Sequence, residues 1–194
     1  MALTTLDPNT ALVIIDLQHG IVTAPTVPYT GPQVVARATE LATAFRSHGN
    51  LVVLVRVTAA KDGADATPGR TDATRPGGTP PEGWDALLDD LATDPADVVV
   101  TKRTWGAFFG TDLDLQLRRR GVTQVVLCGI ATSMGVESTA RASHEHGYHV
   151  TLATDAMTDL DESSHVHSIQ KIFPRLGESG TTGEIIGLLT TSPG

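Results

Sequence analysis

The sequence predicts a three-layer αβα fold, in which a parallel sheet lies between two layers of helices. Three observations predict it: short apolar runs recur along the chain, helical patterns separate them, and a glycine or proline closes most of those patterns. Apolar runs without polar alternation are typical of strands that are buried on both faces of a parallel sheet. Regular alternation of strand and helix indicates a doubly wound, Rossmann-like sheet with right-handed crossovers.

Five apolar runs, most of them rich in Val, Ile and Leu, are the predicted strands, at residues 11–15, 51–57, 98–100, 124–128 and 149–153. Six segments with helical patterns are the predicted helices, at residues 33–48, 84–92, 112–120, 133–146, 162–172 and 181–189. In the first of these, apolar or small side chains recur with helical spacing at Val34, Ala38 and Leu41. Gly49 then follows as a stop signal.

The segment 61–81 is different, because it is rich in Gly, Pro, Thr and Asp and shows no periodicity. We predict a long surface loop, and loops of this length often act as lids or interface arms. The 194 residues of the chain suit one domain of ordinary size. Since no repeat or second unit is evident, we expect a single domain over residues 1–194.

The composition excludes several classes of partner. The formal net charge is −8, and the sequence has neither a basic stripe for nucleic acid nor a polybasic segment for a membrane surface. The basic cluster at residues 118–120 closes a predicted helix, where cations offset the helix dipole. The single cysteine excludes an internal disulfide and fits a reducing compartment. With no apolar run near the roughly 20 residues of a membrane span, and no signal-peptide features, we expect a cytoplasmic protein.

Charged residues end two of the predicted strands, at the edge of a parallel sheet where ligands bind. Asp16 directly follows an apolar run, and a carboxylate there is costly to bury without a partner. A cap or turn is the alternative role, but the position favours a functional acid. Lys102 ends the third predicted strand at the same edge, so it would neutralise Asp16 or bind an anionic substrate. A solvated strand-end charge is the alternative for Lys102.

The fourth predicted strand runs through a small-residue turn into a predicted helix. Residues 129–135 read Gly-Ile-Ala-Thr-Ser-Met-Gly. Such a turn aims backbone N–H groups and the positive end of a helix dipole towards the ligand crevice, which suits a developing oxyanion. The neighbouring Cys128 lies within the apolar strand, so we interpret it as a small buried hydrophobe and not as a nucleophile.

No metal or cofactor motif is recognisable in the sequence. His144 and His146 are two residues apart on a predicted helix and therefore point in different directions, and His165 and His167 share that spacing. The sequence also has no Cys-x-x-Cys, His-Glu-x-x-His or Gly-rich phosphate-binding motif. We therefore expect neither a metal nor a cofactor.

Three ordered motifs carry a resemblance to a known family. They lie at residues 11–18, at residues 102–108, and at residues 129–132 with residues 137–140 after them. Together they make the sequence similar to the isochorismatase-like hydrolases, also called the cysteine hydrolase superfamily. The resemblance covers nearly the whole chain. It implies a six-stranded parallel sheet between helices, and a site built from an Asp, a Lys and a Cys.

Asp16 and Lys102 match the family's acid and lysine, whereas Gly135 stands where most members have the nucleophilic cysteine. A glycine has no side chain to attack a substrate, so the resemblance implies chemistry without a covalent intermediate. In the isochorismatases proper, which also lack a functional cysteine there, the aspartate is a general acid and water completes the hydrolysis. Residues 135–141 and 172–175 look more like a bacterial branch of the family that also carries glycine at this position.

The resemblance also implies features of the backbone and of the assembly. It places a non-proline cis peptide at Ile130–Ala131, and it puts the backbone N–H groups of Ala131 and Gly135 in the site. The ligands of nicotinamidase-type metal sites have no counterpart here, so again no metal is expected. Members commonly form dimers or tetramers, so we expect a homodimer or homotetramer, with the segment 61–81 available for contacts.

The sequence leaves three functions open. The first is a hydrolase that acts on a small anionic metabolite, with Asp16 as general acid or base and Lys102 holding the anionic group. The second is a small-molecule-binding protein that has lost catalysis. The third is an amidohydrolase scaffold whose nucleophilic cysteine has been replaced by Gly135. The predicted substrate contacts, besides the backbone of Ala131, are Gln18, Arg56, Arg103, Trp105, Phe108 and Thr132.

Overall fold

The computed structural model describes residues 3–62, 64–65, 70–72 and 80–191. Within these residues the strands are β1 (Thr10–Ile15), β2 (Val52–Val57), β3 (Val98–Lys102), β4 (Gln124–Ile130), β5 (His149–Thr158) and β6 (Glu178–Gly180). They form one six-stranded sheet in the order β3-β2-β1-β4-β5-β6. Every neighbouring pair is parallel. The predicted fold class is therefore confirmed.

Helices pack on both faces of this sheet. In chain order they are α1 (His19–Val22), α2 (Gly31–Ser47), α3 (Leu113–Arg119), α4 (Glu137–Glu145), α5 (Glu162–His167) and α6 (Thr182–Thr191). A π-helical turn at Thr132–Val136 leads directly into α4, and another at Ser168–Ile172 continues α5 into a 3₁₀ turn at Phe173–Arg175. The predicted helices at 133–146 and 162–172 are thus each divided into two kinds of helical turn. None of the helices in the described part of the chain is long and apolar enough to cross a bilayer.

The central strand β1 explains why the apolar runs of the sequence do not alternate. Ala11, Val13 and Ile15 belong to one core cluster, which includes residues of α3 and α4. Leu12 and Ile14 belong to the other, which includes residues of α2 and α6. Because both faces of the sheet are covered, every residue of β1 is buried. The carboxyl end of β1 consequently lies in the middle of the sheet, between β2 and β4.

The start of α2 is fixed by a reciprocal cap. The Thr30 hydroxyl accepts a hydrogen bond from the backbone N–H of Gln33, and the Gln33 side-chain oxygen accepts one from the backbone N–H of Thr30. Pro32 lies in the first turn, where a missing N–H costs little. The cap explains why the helix begins at Gly31, slightly before the predicted start at residue 33.

The predicted helix at residues 84–92 is wrong, because this segment forms turns and irregular structure. Its backbone carbonyls bind the chain that follows β1. The N–H of His19 donates to the carbonyl of Ala86, and the N–H of Gly20 donates to that of Trp84, both at 3.0 Å. These partners are distant in sequence, so the helical spacing of the side chains did not decide the local structure.

The apolar runs also missed the edge strand β6. Its three residues, Glu178–Gly180, are polar or small, and they pair only with β5. An edge strand this short needs no apolar run. In the predicted loop at 61–81, the described residues form neither helix nor strand, and residues 63, 66–69 and 73–79 lie outside the described part of the chain.

Candidate active site

Asp16 is the first residue after β1, and it lies at the carboxyl edge of the sheet. Its backbone has a φ of 54°, a left-handed conformation that few residues other than glycine adopt. The N–H of Asp16 still continues the sheet by donating to the carbonyl of Val55 at 2.9 Å, and the carbonyl of Asp16 accepts from the N–H of Gln18 at 2.9 Å. The chain therefore turns sharply at this residue, whose side chain lines a large cavity.

A buried ion pair joins the ends of β1 and β3. The Lys102 Nζ atom lies 2.7 Å from Asp16 Oδ2, and the side chains are only 2% and 7% exposed. The same ammonium group donates to the carbonyl of Thr104 at 3.0 Å. Asp16 Oδ1, in contrast, is buried and accepts no hydrogen bond from the described residues. Only one oxygen of the carboxylate is thus hydrogen-bonded by the described residues.

The charge state of Asp16 is set by two opposing effects. Burial disfavours the ionised carboxylate and raises its pKa, while the charge and hydrogen bond of Lys102 lower it. Burial is the larger effect, so the pKa of Asp16 rises from 3.8 to about 6. A carboxyl group with such a pKa can either donate or accept a proton near neutral pH, as a general acid or base must.

The turn after β4 completes the site from the other side. The peptide between Ile130 and Ala131 is cis, which confirms the prediction made from the resemblance. In the π-helical turn that follows, the carbonyl of Ala131 accepts from the N–H of Val136 at 3.2 Å. The N–H of Ser133 donates to Asp159 Oδ2 at 2.6 Å, so a carboxylate holds the start of the turn. Turns of π type inside helices often occur at functional sites.

Two glycines let this turn approach β1 closely. Gly129 has a φ of 122°, and a Cβ atom there would lie 2.1 Å from the carbonyl oxygen of Ile15, so no other residue fits. A Cβ atom at Gly135 would lie 3.3 Å from Asp16 Oδ2 and 2.9 Å from Cγ2 of Ile15. Any side chain at position 135 would therefore touch the carboxylate. That Gly135 occupies a former nucleophile position stays a prediction.

The cavity in front of Asp16 has a volume of about 1020 Å³. Its wall is mostly apolar, and the larger apolar side chains in it are Ile21, Val57, Trp84, Trp105, Ile130, Met134 and Leu160. The indole of Trp84 lies against Gly20, where a Cβ atom would overlap it at 1.8 Å. Sequence analysis missed Trp84 because the residue was placed on a helix. The signal that could have identified Trp84 was its position directly after Gly83, a turn residue, in the connection that leads from β2 to β3.

The structure brings together six of the predicted site residues around this cavity: Asp16, Lys102, Arg103, Trp105, Ala131 and Gly135. Arg103 is half exposed and forms an ion pair with Asp65, with Nε 2.7 Å from Oδ2. Trp105 is 61% exposed and lies at the cavity mouth.

The other four predicted contacts do not line the cavity. Gln18 is buried and exchanges two hydrogen bonds with the backbone of Val57, with Oε1 accepting at 2.7 Å and Nε2 donating at 3.0 Å. It joins the end of β1 to the end of β2. The hydroxyl of Thr132 lies 2.8 Å from Nδ1 of the buried His165, behind the turn. Burial lowers the pKa of His165.

Phe108 and Arg56 also have structural partners away from the cavity. Phe108 belongs to the core cluster on the α4 side, and its ring stacks on that of His146 with centroids 4.9 Å apart. The guanidinium of Arg56 lies 3.8 Å from the carboxylate of Asp85 and donates to the hydroxyl of Thr101 at 3.1 Å.

The position of Cys128 bears on cysteine chemistry, and the grouping of His, Cys, Asp and Glu side chains bears on metal binding. Cys128 is fully buried within β4, and burial raises the pKa of its thiol. Among residues 3–62, 64–65, 70–72 and 80–191, no group of three or more His, Cys, Asp or Glu side chains could hold a metal ion.

Comparison with known proteins agrees with this geometry. Residues 10–184 match the model of the isochorismatase domain. The chain is 49% identical over 180 residues to the isochorismatase family protein YwoC of Bacillus subtilis, covering 92% of this chain and 93% of that protein. It is 47% identical over 75 residues to the ureidoacrylate amidohydrolase RutB of Azorhizobium caulinodans, covering 38% of this chain and 33% of that protein.

A solved structure extends the similarity to three dimensions. An isochorismatase family protein from Burkholderia thailandensis superposes with a TM-score of 0.92 at 46% identity, covering 96% of this chain and 98% of that one. The chain belongs to the isochorismatase family.

Proposed function

We propose that this member of the isochorismatase family is a hydrolase that acts on a small molecule without a covalent enzyme intermediate, with Asp16 as the general acid or base. One observation carries the proposal: Asp16, a buried carboxylate with a pKa of about 6, lines a large cavity. Lys102 binds one of its oxygens, and the other accepts no hydrogen bond from the described residues. Family membership supports hydrolysis as the reaction class.

Lys102 has a defined part in this proposal. When Asp16 gives up its proton to the leaving atom of the substrate, a negative charge forms on a buried carboxylate. The ammonium group at 2.7 Å stabilises that charge without removing the effect of burial on the pKa. Water supplies the hydroxyl group to the other fragment, the leaving fragment takes the proton from Asp16, and the proton that the water releases restores the acid form of Asp16.

The absence of a covalent step rests on Gly135 and Cys128. Position 135 faces the carboxylate but offers no attacking atom, and the thiol of Cys128 is buried in β4 on the α2 side of the sheet. The resemblance of 75 residues to an amidohydrolase extends the candidate bonds from enol ethers to amides.

The test is a screen of the purified protein by mass spectrometry against isochorismate, other enol ethers, and a panel of amides and ureido acids. We expect one class to be consumed, and the Asp16→Ala variant to lose at least about 100-fold in kcat. Asp89→Ala, which removes an exposed carboxylate that does not line the cavity, is the matched control and should keep the rate.

The pH profile identifies the direction of proton transfer. If Asp16 is the general acid, kcat/KM falls as the pH rises through about 6; if it is the general base, kcat/KM rises over the same range. A compound that binds in the cavity but is never consumed, with Asp16→Ala altering only its affinity, would support the binding-protein alternative and overturn the proposal.

A further inference from the structure

The π-helical turn after β4 is held from behind by the chain that follows β5. The N–H of Ser133 donates to Asp159 Oδ2 at 2.6 Å, and the Thr132 hydroxyl lies 2.8 Å from Nδ1 of His165. Neither Asp159 nor His165 lines the large cavity. The turn and the residue before it do line that cavity, with Ala131, Met134 and Gly135. Any effect of Asp159 or His165 on the cavity must therefore pass through the turn.

Both oxygens of the Asp159 carboxylate accept hydrogen bonds from backbone N–H groups. Oδ2 accepts from Ser133, and Oδ1 accepts from Leu160 at 2.7 Å. Asp159 is only 3% exposed. The first N–H groups of a helical turn have no partner within the turn, so the bond to Ser133 satisfies a donor that the turn itself leaves unpaired. Hydrogen bonds to an ionised carboxylate are among the stronger ones in proteins.

The backbone of Asp159 is fixed by contacts outside the turn. Its N–H donates to the carbonyl of Val27 at 2.9 Å, and its carbonyl accepts from the N–H of Val27 at 2.8 Å. Asp159 also directly follows β5, and the last residue of β5, Thr158, is paired with Ile130 of β4. The carboxylate is thus held from two sides and can serve as an anchor for the turn.

The turn packs against Asp16 with little room to move. A Cβ atom at Gly135 would lie 3.3 Å from Asp16 Oδ2 and 2.9 Å from Ile15 Cγ2. Burial is the largest influence on the pKa of Asp16, and Gly135 contributes to that burial by its proximity. If the turn moved away from β1, water would reach the carboxylate, and the pKa of Asp16 would fall towards its ordinary value of 3.8.

We infer that Asp159 is a positioning residue of the candidate active site: through the N–H of Ser133 it holds the turn that carries Gly135 against Asp16. The inference rests on the proposed function, because it treats this turn as part of the site of hydrolysis. Asp159 acts on the geometry of the turn and not by contact with a ligand in the cavity. An amide side chain at this position would offer one acceptor to two N–H groups, so it could bind only one of them.

Amide hydrogen exchange, followed by NMR, tests the inference without a substrate. In Asp159→Ala we expect exchange at Ser133 and Val136 to accelerate at least about tenfold relative to the amides of β1, because the turn opens locally. Asp159→Asn, which keeps the volume and one acceptor, should show a smaller acceleration of about threefold.

The pKa of Asp16 is the second measurement, obtained from the carboxyl carbon shift with Asp16→Asn identifying the resonance. We expect it to fall by about one unit in Asp159→Ala, towards 3.8, and by less in Asp159→Asn. A residue that only stabilises the fold would not move the pKa of a carboxylate it does not touch.

Asp161→Asn is the matched control for both measurements. Asp161 lies in the same connection, is exposed, and caps α5 by accepting from the N–H of Ser164 at 2.8 Å. Asparagine caps a helix about as well as aspartate does. Exchange in the turn and the pKa of Asp16 should therefore keep their wild-type values in this variant.

Three results would overturn the inference: an unchanged pKa of Asp16 in folded Asp159→Ala, an equal rise of exchange in the turn and in β1, or failure of both Asp159 variants to fold. The last two would make Asp159 a residue of the fold alone. If exchange and pKa change as expected but no compound is hydrolysed, only the proposed function fails.

A substrate found by the screen adds a kinetic measurement. We expect kcat of Asp159→Ala to be at least about tenfold below that of the wild type, with KM within about threefold, because the turn is misplaced while the cavity wall is otherwise kept. Hydrolysis that depends on Asp16 but has the same kcat in folded Asp159→Ala would support the proposed function and overturn this inference.

Discussion

Two ion pairs with little exposed side chain lie at opposite edges of the same sheet, and they differ in how fully their hydrogen bonds are used. At the amino edge, Arg46 holds Asp97 through two contacts, with Nε 3.2 Å from Oδ1 and Nη2 2.5 Å from Oδ2. The same guanidinium donates to the carbonyl of Leu91 at 2.7 Å and to the hydroxyl of Thr93 at 3.2 Å. Both carboxylate oxygens of this pair are satisfied by protein.

The carboxyl edge is built in the opposite way. Asp16 lines a mostly apolar cavity and is paired with Lys102 through one oxygen only, while its other oxygen is buried without a hydrogen bond from the described residues. The pair at the amino edge leaves no carboxylate oxygen without a hydrogen bond. The pair at the carboxyl edge leaves Asp16 Oδ1 without a hydrogen bond and raises the pKa of Asp16. Both features cost stability, as is common at functional sites.

The largest effect should come from the complete pair. We expect Asp97→Ala to lower the free energy of unfolding by about 3 kcal/mol, because Arg46 loses both of its charged contacts while only 16% exposed. Urea denaturation at neutral pH measures this loss of stability. A loss below about 1 kcal/mol would show that water takes over the hydrogen bonds that Asp97 makes to Arg46. The ion pairs at the two edges would then differ less in their contribution to stability than their geometry indicates.

The incomplete pair should make the stability of the protein depend on pH. The folded-state pKa of Asp16, about 6, lies above the ordinary value of 3.8, so the native protein binds this proton more tightly than the unfolded chain. The stability linked to it is fully present below about pH 4 and is lost as the pH rises through about 6.

The pH dependence of stability tests this sign. Between about pH 4 and pH 7 we expect the free energy of unfolding of the wild type to fall by about 2 kcal/mol relative to that of Asp16→Asn. The variant also carries a cost that does not vary over this range, because the Lys102 ammonium loses its carboxylate partner. Urea denaturation at a series of pH values measures this. Asp89→Asn, at an exposed carboxylate, should show no such dependence. A difference between wild type and Asp16→Asn that is the same at pH 4 and pH 7 would mean that attraction to Lys102 offsets burial.

The smallest effect concerns the turn that faces Asp16. Gly135→Ala should cost about 1 kcal/mol, because its Cβ atom would lie 2.9 Å from Ile15 Cγ2 and force a small shift in a packed core. Gly135→Cys should cost about as much and also place a thiol beside the carboxylate. Amide hydrolysis that appears in Gly135→Cys but not in Gly135→Ala would show that the scaffold supports covalent catalysis, as the amidohydrolase alternative requires. No amide hydrolysis in folded Gly135→Cys would oppose that alternative.

Residues whose surroundings are set by their own strand were predictable. Asp16 and Lys102 each follow a buried run, and the rule that parallel strands end at one edge was enough to expect them together. The structure brings them to 2.7 Å. The burial of Cys128 followed from the same run of apolar residues that marks β4.

Residues whose surroundings are set by distant backbone were not predictable. Trp84 lies on the cavity wall because its carbonyl binds the N–H of Gly20, a contact that leaves no local pattern. Gln18 and Phe108 were predicted as substrate contacts, and both lie in the motifs that carry the resemblance. The side chain of Gln18 instead binds the end of β2, and that of Phe108 packs in the core, since neighbouring residues at a strand end can point in quite different directions.

The attachment of Trp84 to the chain after β1 has a consequence for how this protein can diverge. The carbonyl of Trp84 accepts from the N–H of Gly20, and the N–H of Trp84 donates to the carbonyl of Pro81. Thr71 and Asp72, earlier in the connection from β2, also line the cavity. Exchanges at those two positions would therefore alter the cavity wall while the hydrogen bonds that hold Trp84 are kept, so exchanging them between relatives is a direct way to vary what the cavity accepts.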